Sequence, residues 1–363
     1  MSRPDAARLQ LGWDIGGAHV KGCLLQGGKL RDIAQWPCPL WQGMEHLDAA
    51  LGQARSRWSE AWDAGAQHAA TMTGEMIDLF DDREQGVAHI ADRLAHSLGA
   101  SLRLFDADAG WRLPQEAGAG WRGIASANWC ATARVLAGRI GDAVLVDIGS
   151  TTTDVIPLRA GRVIAQGTSD AQRLLTGELV YQRVVRTPLC ALGPRVPWRG
   201  RSANVMNEFF ATTADVYRLT GELDPAHDLY PSADNAAKDA AATRKRLARM
   251  IGMDARDASD AEWLVIAQAW RAAQVAELGG QLQRVMAMHA LSAEAVVVSA
   301  GCGDFLVADV VARAGARLTC RRYGSEVARI AAYAAPSVET AARWAQVCAP
   351  SVAVAALLDQ EQR

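Results

Sequence analysis

Short apolar segments broken by glycine open the chain. Residues 9–16, 19–26 and 29–36 alternate in part between apolar and polar positions and are separated by GGA and QGGK, which predicts three strands in an antiparallel meander. Apolar positions at helical spacing follow over about 44–61, then an apolar strand, HAATMTGE, from His68. A helix over about 82–98, a strand SLRLFDAD from Ser101 and a helical run of small residues over 123–140 complete this half. At Gly141 the plan restarts. AVLVDIG, TTTDVIPL and GRVIAQG predict three more strands. Residues 168–205, rich in proline and arginine, predict loops, and helical spacing dominates about 206–290 apart from the polar stretch GELDPAHDLYPSADN. Residues 294–315 predict a strand, a Gly-x-Gly turn and a helix, and Pro336 suits the first turn of a closing helix. One domain plan is used twice, over 1–139 and over 140–335, the second with a mainly helical insert at about 206–290 and followed by a C-terminal helix at 336–363. The predicted class is α/β with two related domains.

Composition narrows the function. A length of 363 residues suits two domains, and half hydrophobic with 21% charged residues suits a folded core. The net charge of −2 gives no general attraction to nucleic acid or acidic membranes. No apolar run approaches the ~20 residues that span a bilayer, and MSRPDAARLQ lacks the apolar core of a secretory signal. Seven dispersed cysteines without a C-x-x-C pair predict reduced thiols and a cytoplasmic protein. The seven histidines show no zinc-ligand spacing. Small molecules are the expected partners, and a homodimer is left open.

The same Asp-Ile-Gly occurs at Asp14 in LGWDIGGAHVKGCLL and at Asp147 in LVDIGSTTTDVIPL. A glycine turn between strands lets backbone N–H groups approach an anion closely, and small hydroxyl residues add donors. Gly16, Gly17, Gly149, Ser150, Thr151 and Thr152 are therefore candidate phosphate contacts. A carboxylate beside phosphate needs a cation between them. Mg²⁺ prefers oxygen and keeps several waters, which makes Asp14 and Asp147 candidate metal anchors. Lys21 on the returning strand reaches phosphate or is a solvated strand lysine. Neither loop is a Walker A or a dinucleotide fingerprint. A single Asp-Ile-Gly is explained by a tight hairpin; two copies in matching strand context are not.

These paired loops, with the later SAGCGDF, resemble the sugar kinase, heat-shock protein 70 and actin superfamily. The resemblance implies two actin-like, ribonuclease H-like domains around a phosphate-binding cleft, with Gly301 and Gly303 in the segment that ordinarily lies against adenosine. DIGSTTTDV resembles the hydantoinase A and oxoprolinase branch. Together with DIGGAHVK, TMTGEMIDLFDDREQGV, ANWCATA, TGELVYQRVVRTPL, TTADVYRLTGEL and SAGCGDFL, it is similar to a smaller family of methanofuran biosynthesis, labelled tetrahydromethanopterin-linked C1 transfer pathway proteins. The resemblance implies an ether-forming transferase. It would join a diphosphate-activated aminomethylfuran to the phenol of γ-glutamyltyramine, or to a tyrosine-derived phenol in a methylofuran version, and release pyrophosphate. The family's first loop runs nearer GGANTK, so His19 and Val20 depart from it.

Such chemistry needs stabilisation of a departing diphosphate, and a base for a phenol whose unperturbed pKa is about 10. Asp147, Asp154 and Glu75 are the candidate bases, with Lys21 the candidate catalytic cation. Asp154 equally suits a cap on the hairpin hydroxyls, and Glu75 the first turn of a helix. Asn128, inside a helical pattern that does not favour it, is a candidate substrate contact, whereas Trp129 reads as core. Arg183, Arg186, Arg195, Arg199 and Arg201 form a basic stretch. Arg186, in RTP, is the candidate for diphosphate or a γ-glutamyl carboxylate, and the others read mostly as surface charge. Asp106 and Asp108 read as a solvated turn, TRKRLARM (243–250) as a solvated helix face, and Cys302 as a small residue in a tight turn. Two other functions fit the loops: an ATP-dependent kinase or oxoprolinase-type amidohydrolase, and a non-catalytic phospholigand-binding protein.

Overall fold

The opening meander is present in the computed structural model, which describes residues 8–292, 294–315 and 318–362. The stretch 1–7, part of the segment assessed above for a signal, lies outside them. Strands β1 (Leu9–Ile15), β2 (His19–Gln26) and β3 (Lys29–Pro37) pair antiparallel in turn, with Asp14 opposite Lys21. The helical run that follows breaks at Trp58 into α1 (Glu45–Arg57) and α2 (Ser59–Asp63). Strand β4 (Gln67–Met72) lies parallel to β1. Helix α3 (Arg83–Leu98) starts at Asp82, whose carboxylate accepts from the Gln85 amide. Strand β5 (Leu102–Asp106) runs parallel to β4, and β6 (Gly110–Arg112), α4 (Trp121–Ile124) and α5 (Asn128–Ala137) follow.

The restart at Gly141 yields β7 (Ala143–Ile148) and β8 (Thr153–Arg159) as expected, but the third strand is displaced. GRVIAQG forms only the two-residue β9 (Arg162–Val163), which pairs antiparallel with the end of β8. The proline- and arginine-rich stretch is not all loop. It contains α6 (Asp170–Thr176), β10 (Leu179–Val180), which pairs antiparallel with β8, and a hairpin of β11 (Arg195–Trp198) and β12 (Arg201–Asn204). The physical reason is burial: Leu179 and Val180 are both buried, whereas Arg162 is exposed. The insert is helical, with α7 (Thr213–Thr220), α8 (Ala240–Arg249) and the long α9 (Asp260–Met288). Then come β13 (Val296–Ala300), α10 (Val307–Arg313) and β14 (Cys320–Arg322). The chain closes with α11 (Val338–Val347) and α12 (Ala349–Glu361). Pro336 lies outside α11, because Ser337 is its N-cap; the proline in a first turn is Pro350, in α12.

By packing the chain divides into two compact units, one of residues 1–143, 158–164 and 321–363, the other of residues 144–157 and 165–320. The first sheet has the order β3-β2-β1-β4-β5-β6 and the second β10-β8-β7-β13-β14. Both follow the ribonuclease H-like, actin-like α/β plan, with β10 in the third-strand place of the second. Both C-terminal helices belong to the first unit. There α12 covers β1 so closely that a methyl group on Gly12 would lie 2.1 Å from the Ser351 carbonyl oxygen. Among the described residues no single helix is long and apolar enough to cross a membrane.

The other face of β1 nucleates the first core. Leu11, Trp13 and Ile15 are fully buried. The Trp13 ring lies 5.8 Å from both Trp58 and Trp62, 6.5 Å from Trp36 and 6.1 Å from His68. Trp13 Nε1 donates to His68 Nδ1 over 3.1 Å, and burial pushes the His68 pKa down to about 4. The native state therefore holds His68 neutral, while the unfolded chain takes up a proton below its ordinary pKa of 6.5. Stability is then complete above pH 6.5 and falls as the pH drops toward 4. From this residue the loss between pH 7 and 5 should be about 2 kcal/mol. Urea unfolding at the two pH values should show a slope that His68→Asn flattens.

Candidate functional site

Each Asp-Ile-Gly turn is closed by the same backbone bond in its own unit. The Gly16 amide donates to the His19 carbonyl over 2.9 Å, and the Gly149 amide donates to the Thr152 carbonyl over 2.8 Å. Because the first bond uses the backbone of His19, the departure at this position leaves the loop closure intact. The His19 side chain is buried. The carbonyls of Gly17 and Ala18 accept from the amides of Leu40 and Cys38 over 3.1 and 2.9 Å. A methyl group on Gly74 would lie 2.9 Å from the Leu40 side chain and 3.4 Å from the Gly16 backbone. Gly74 is thus packed closely against the first turn. Asp14 is buried and Lys21 Nζ lies 3.9 Å from its Oδ2, so Lys21 is a partner of Asp14 rather than a solvated strand lysine.

Glu75 ends the strand region of the first unit in a short 3₁₀ turn, Gly74–Met76, not in the first turn of a long helix. Its side chain is sealed. Oε1 accepts from Arg83 Nη2 over 2.9 Å and from Ser126 Oγ over 2.8 Å, and Arg83 Nη2 also donates to Ser126 Oγ. Oε2 is buried with no hydrogen-bond partner. Burial pushes the Glu75 carboxyl above its ordinary range, with Arg83 and Ser126 opposing. Asn128 begins α5 and spends its side-chain oxygen on the Trp129 amide, 2.8 Å away, while Trp129 is buried as expected. Asp106 is not solvated. It is fully buried and accepts from the amides of Asp108 and Ala109 and from Arg112, which together outweigh burial and hold its carboxyl below the usual range.

In the second unit Asp147, Gly149, Ser150, Thr151 and Thr152 are all half-buried, at the end of β7 and in the turn beyond it. The Gly-Cys-Gly turn braces that strand end. The Gly303 amide donates to the Ile148 carbonyl over 2.8 Å. Gly301 has φ +85°, and a methyl group there would lie 2.2 Å from the Ile148 oxygen and 2.5 Å from Asp147 Oδ1. Asp154 does not cap the hairpin hydroxyls; its carboxylate is buried against Arg173, which also lies 3.6 Å from Asp170. Residues 182–187 are strapped to the loop. Thr153 Oγ1 donates to the Gln182 carbonyl over 2.6 Å, and the Val184 amide to the Gly149 carbonyl over 3.3 Å. Arg186 is half-buried in this strap, and its carbonyl accepts from Arg183 Nη2 over 3.1 Å. Arg183 is half-buried too, against the expectation of surface charge, and burial together with the neighbouring Arg186 pulls its pKa down to about 10. Arg195, Arg199 and Arg201 are exposed, and Arg199 pairs with Glu262 over 2.8 Å. In TRKRLARM, Arg246 is fully buried, paired with Asp215 at 2.7 Å and Asp234 at 3.0 Å, so that helix is not simply a solvated face.

Among the described residues no group of three or more His, Cys, Asp or Glu side chains gathers to hold a metal ion. A magnesium ion would therefore depend on ligand oxygens and water, with a single carboxylate to anchor it. Asp147 is half-buried at the end of β7, whereas Asp14 is buried with Lys21 Nζ 3.9 Å from its Oδ2.

A hydantoinase/oxoprolinase family model matches residues 67–342, most of the chain. The chain belongs to the hydantoinase/oxoprolinase family. This hydantoinase/oxoprolinase chain is 31% identical over 253 residues to the (4-{4-[2-(γ-L-glutamylamino)ethyl]phenoxymethyl}furan-2-yl)methanamine synthase of Methanocaldococcus jannaschii, covering 69% of this chain and 74% of that protein. It is 32% identical over 124 residues to the synthase of the same name in Methanococcus vannielii, covering 34% of this chain and about half, 55%, of that protein. Its curated relatives are thus enzymes. Similar solved structures include the ethanolamine utilization protein EutJ of Carboxydothermus hydrogenoformans, at TM-score 0.45 and 12% identity over 98% of this chain and 91% of that one. Another is a ROK family glucokinase of Streptomyces griseus, at TM-score 0.43 and 12% identity over 88% and 96%.

Two glycines of the hydantoinase/oxoprolinase chain should respond oppositely to alanine. Gly301→Ala forces a left-handed residue against the Ile148 carbonyl and should lower stability by about 1–3 kcal/mol. Gly280→Ala, on the exposed face of α9 with nothing within 4 Å, should raise it by about 0.5–1 kcal/mol. Denaturant midpoints of the two variants against the parent check both signs.

Proposed function

We propose that this chain is the ether-forming transferase of methanofuran or methylofuran assembly. Its substrates are an aminomethylfuran-methyl diphosphate and a γ-glutamyl-tyramine or tyrosine-derived phenol. The observation that carries the reading is the 31% identity over 253 residues to a synthase named for a phenoxymethylfuran product. The loop chemistry suits it. The furan ring stabilises positive charge on its methylene carbon, so the displacement is loose and driven by the leaving group. The phenol oxygen bonds to that carbon as the carbon–oxygen bond to diphosphate breaks, and the electron pair of the broken bond leaves with the diphosphate. The chain's main task is then to accept developing charge on phosphate oxygens. In the second unit the amides and hydroxyls of Ser150, Thr151 and Thr152, in the turn that begins at Gly149, suit this, with Arg186 half-buried in the strap bonded to that turn. In the first unit Gly16 and Gly17 present a second unblocked turn. Magnesium, when bound, supplies charge neutralisation for the diphosphate, and Asp147 suits its water shell.

Asp154 and Glu75 are sealed against Arg173 and Arg83, so neither is open to a phenol. In this reading they position their loops. The phenol proton is lost late, once the new bond has made that oxygen strongly acidic, and it departs on the diphosphate. All seven cysteines are free thiols, which suits a cytoplasmic enzyme.

Incubation with furanmethanamine diphosphate, each phenolic acceptor in turn and Mg²⁺ should give pyrophosphate and ether in equal amounts, without ATP. Asp147→Asn should lower kcat at least tenfold and raise the Mg²⁺ requirement. No ether with any of the acceptors would end the proposal. The family match also fits a second reading, an ATP-dependent amidohydrolase or kinase. Saturable ATP binding with ADP release on turnover would favour that one, and phosphate-ligand binding with no turnover at all would leave a non-catalytic binding protein.

A further inference from the structure

Arg183 differs from the other large buried cations of its unit. Arg173 is matched by Asp154 and Asp170, and Arg246 by Asp215 and Asp234. Among the described residues Arg183 has no carboxylate partner. Its Nη2 donates to a carbonyl, that of Arg186, and its Nε is buried without a hydrogen bond. Beneath it lies the ring of the exposed Tyr181, 5.2 Å from the guanidinium carbon. The nearest charge acting on it is another cation, Arg186, and together with burial this makes the protonated form less favourable than in water. An uncompensated, partly buried guanidinium is costly in a resting protein.

The backbone around it is nevertheless held firmly. The Arg183 amide donates to Thr187 Oγ1 over 2.8 Å. Its carbonyl accepts from Thr187 Oγ1 and from Gln274 Nε2, each over 3.1 Å, and Gln274 is fixed by the Tyr217 hydroxyl at 2.6 Å. On either side of Arg183, Gln182 and Val184 are the residues bonded to Thr153 and Gly149 of the second Asp-Ile-Gly turn. A methyl group on Gly303 would lie 2.7 Å from Val184 Cγ1, so the bracing Gly-Cys-Gly turn presses on the same strap. Several hydrogen bonds thus fix the strap that carries this cation, and two of them tie its neighbours to the hydroxyl-rich turn.

We propose that Arg183 completes the second loop as a phosphate-binding site, its guanidinium contacting ligand phosphate oxygens alongside the amides and hydroxyls of Ser150, Thr151 and Thr152. The proposal rests on the reading of that turn as a phosphate loop. The ligand class is a phosphate or diphosphate ester, for which the planar guanidinium fork suits two oxygens at once. The missing counter-charge is then the ligand itself.

The experiment uses the full chain, inorganic pyrophosphate with Mg²⁺ as the probe, and ADP with Mg²⁺ as a second arm that separates a free diphosphate from a nucleotide. Binding is measured by calorimetry, and melting temperature is recorded with and without ligand. The parent should bind pyrophosphate and melt higher with it. Arg183→Gln should melt no lower than the parent without ligand, since it relieves an unmatched charge, yet should bind pyrophosphate at least tenfold more weakly and lose the ligand-induced rise. Arg183→Lys, which keeps the charge but not the fork, should fall between the two. The exposed Arg201→Gln should match the parent. If the parent binds and Arg183→Gln binds equally well, or if that variant melts lower and Arg183→Lys binds no better than it, the role of Arg183 is overturned while the loop reading stands. If the parent binds neither pyrophosphate nor ADP, the loop reading falls and the proposal with it.

Discussion

Close approach of backbone to backbone at the end of a central strand is the constraint on which both units depend. In the first unit Gly74 lies over Gly16, and Gly86 sits so near Glu75 that a methyl group would come within 2.4 Å of its carbonyl oxygen. In the second, Gly301 and Gly303 press on Ile148 in the same manner. Any side chain at these positions would push the strand end away from its brace. With glycine there, the turn that follows can close on itself through a bond from its own first glycine amide.

Around these turns the charges are arranged by burial. Most buried carboxylates of the candidate site are neutralised by an arginine from the same unit: Glu75 by Arg83, Asp106 by Arg112, Asp154 by Arg173. Such pairs hold position more than they add stability, because desolvation offsets much of the attraction. They also withdraw these acids from proton transfer. Arg183 stands apart: it is half-buried and, among the described residues, has no carboxylate partner.

Much was legible in the chain before folding. The strand starts at Leu9, His19 and Lys29, the restart near Gly141 and the helical insert follow from period and from glycine breaks, which are local properties. The two Asp-Ile-Gly turns were legible as tight turns between strands because their glycines lie in consecutive residues. What was not legible depended on distant partners. GRVIAQG has the composition of a strand, yet only Arg162–Val163 pair with β8, at its far end, and Leu179–Val180, both buried, pair with its beginning. Asp106, in a polar turn, is buried because Arg112 and two amides satisfy it.

Arg183 is the clearest case. In sequence it is one of five arginines in a basic stretch, and nothing local distinguishes it from Arg195 or Arg201. Its standing comes from bonds to Gly149, Thr153, Thr187 and Gln274 that set the strap, from partial burial, and from having no carboxylate partner among the described residues. The sequence by itself determined the repeated domain plan and the anion-friendly turns, since hydrophobic period and glycine placement act over a few residues. Only the tertiary structure decided which acids are silenced and which cation is left unmatched, since charge compensation is settled between residues that the chain brings together from far apart.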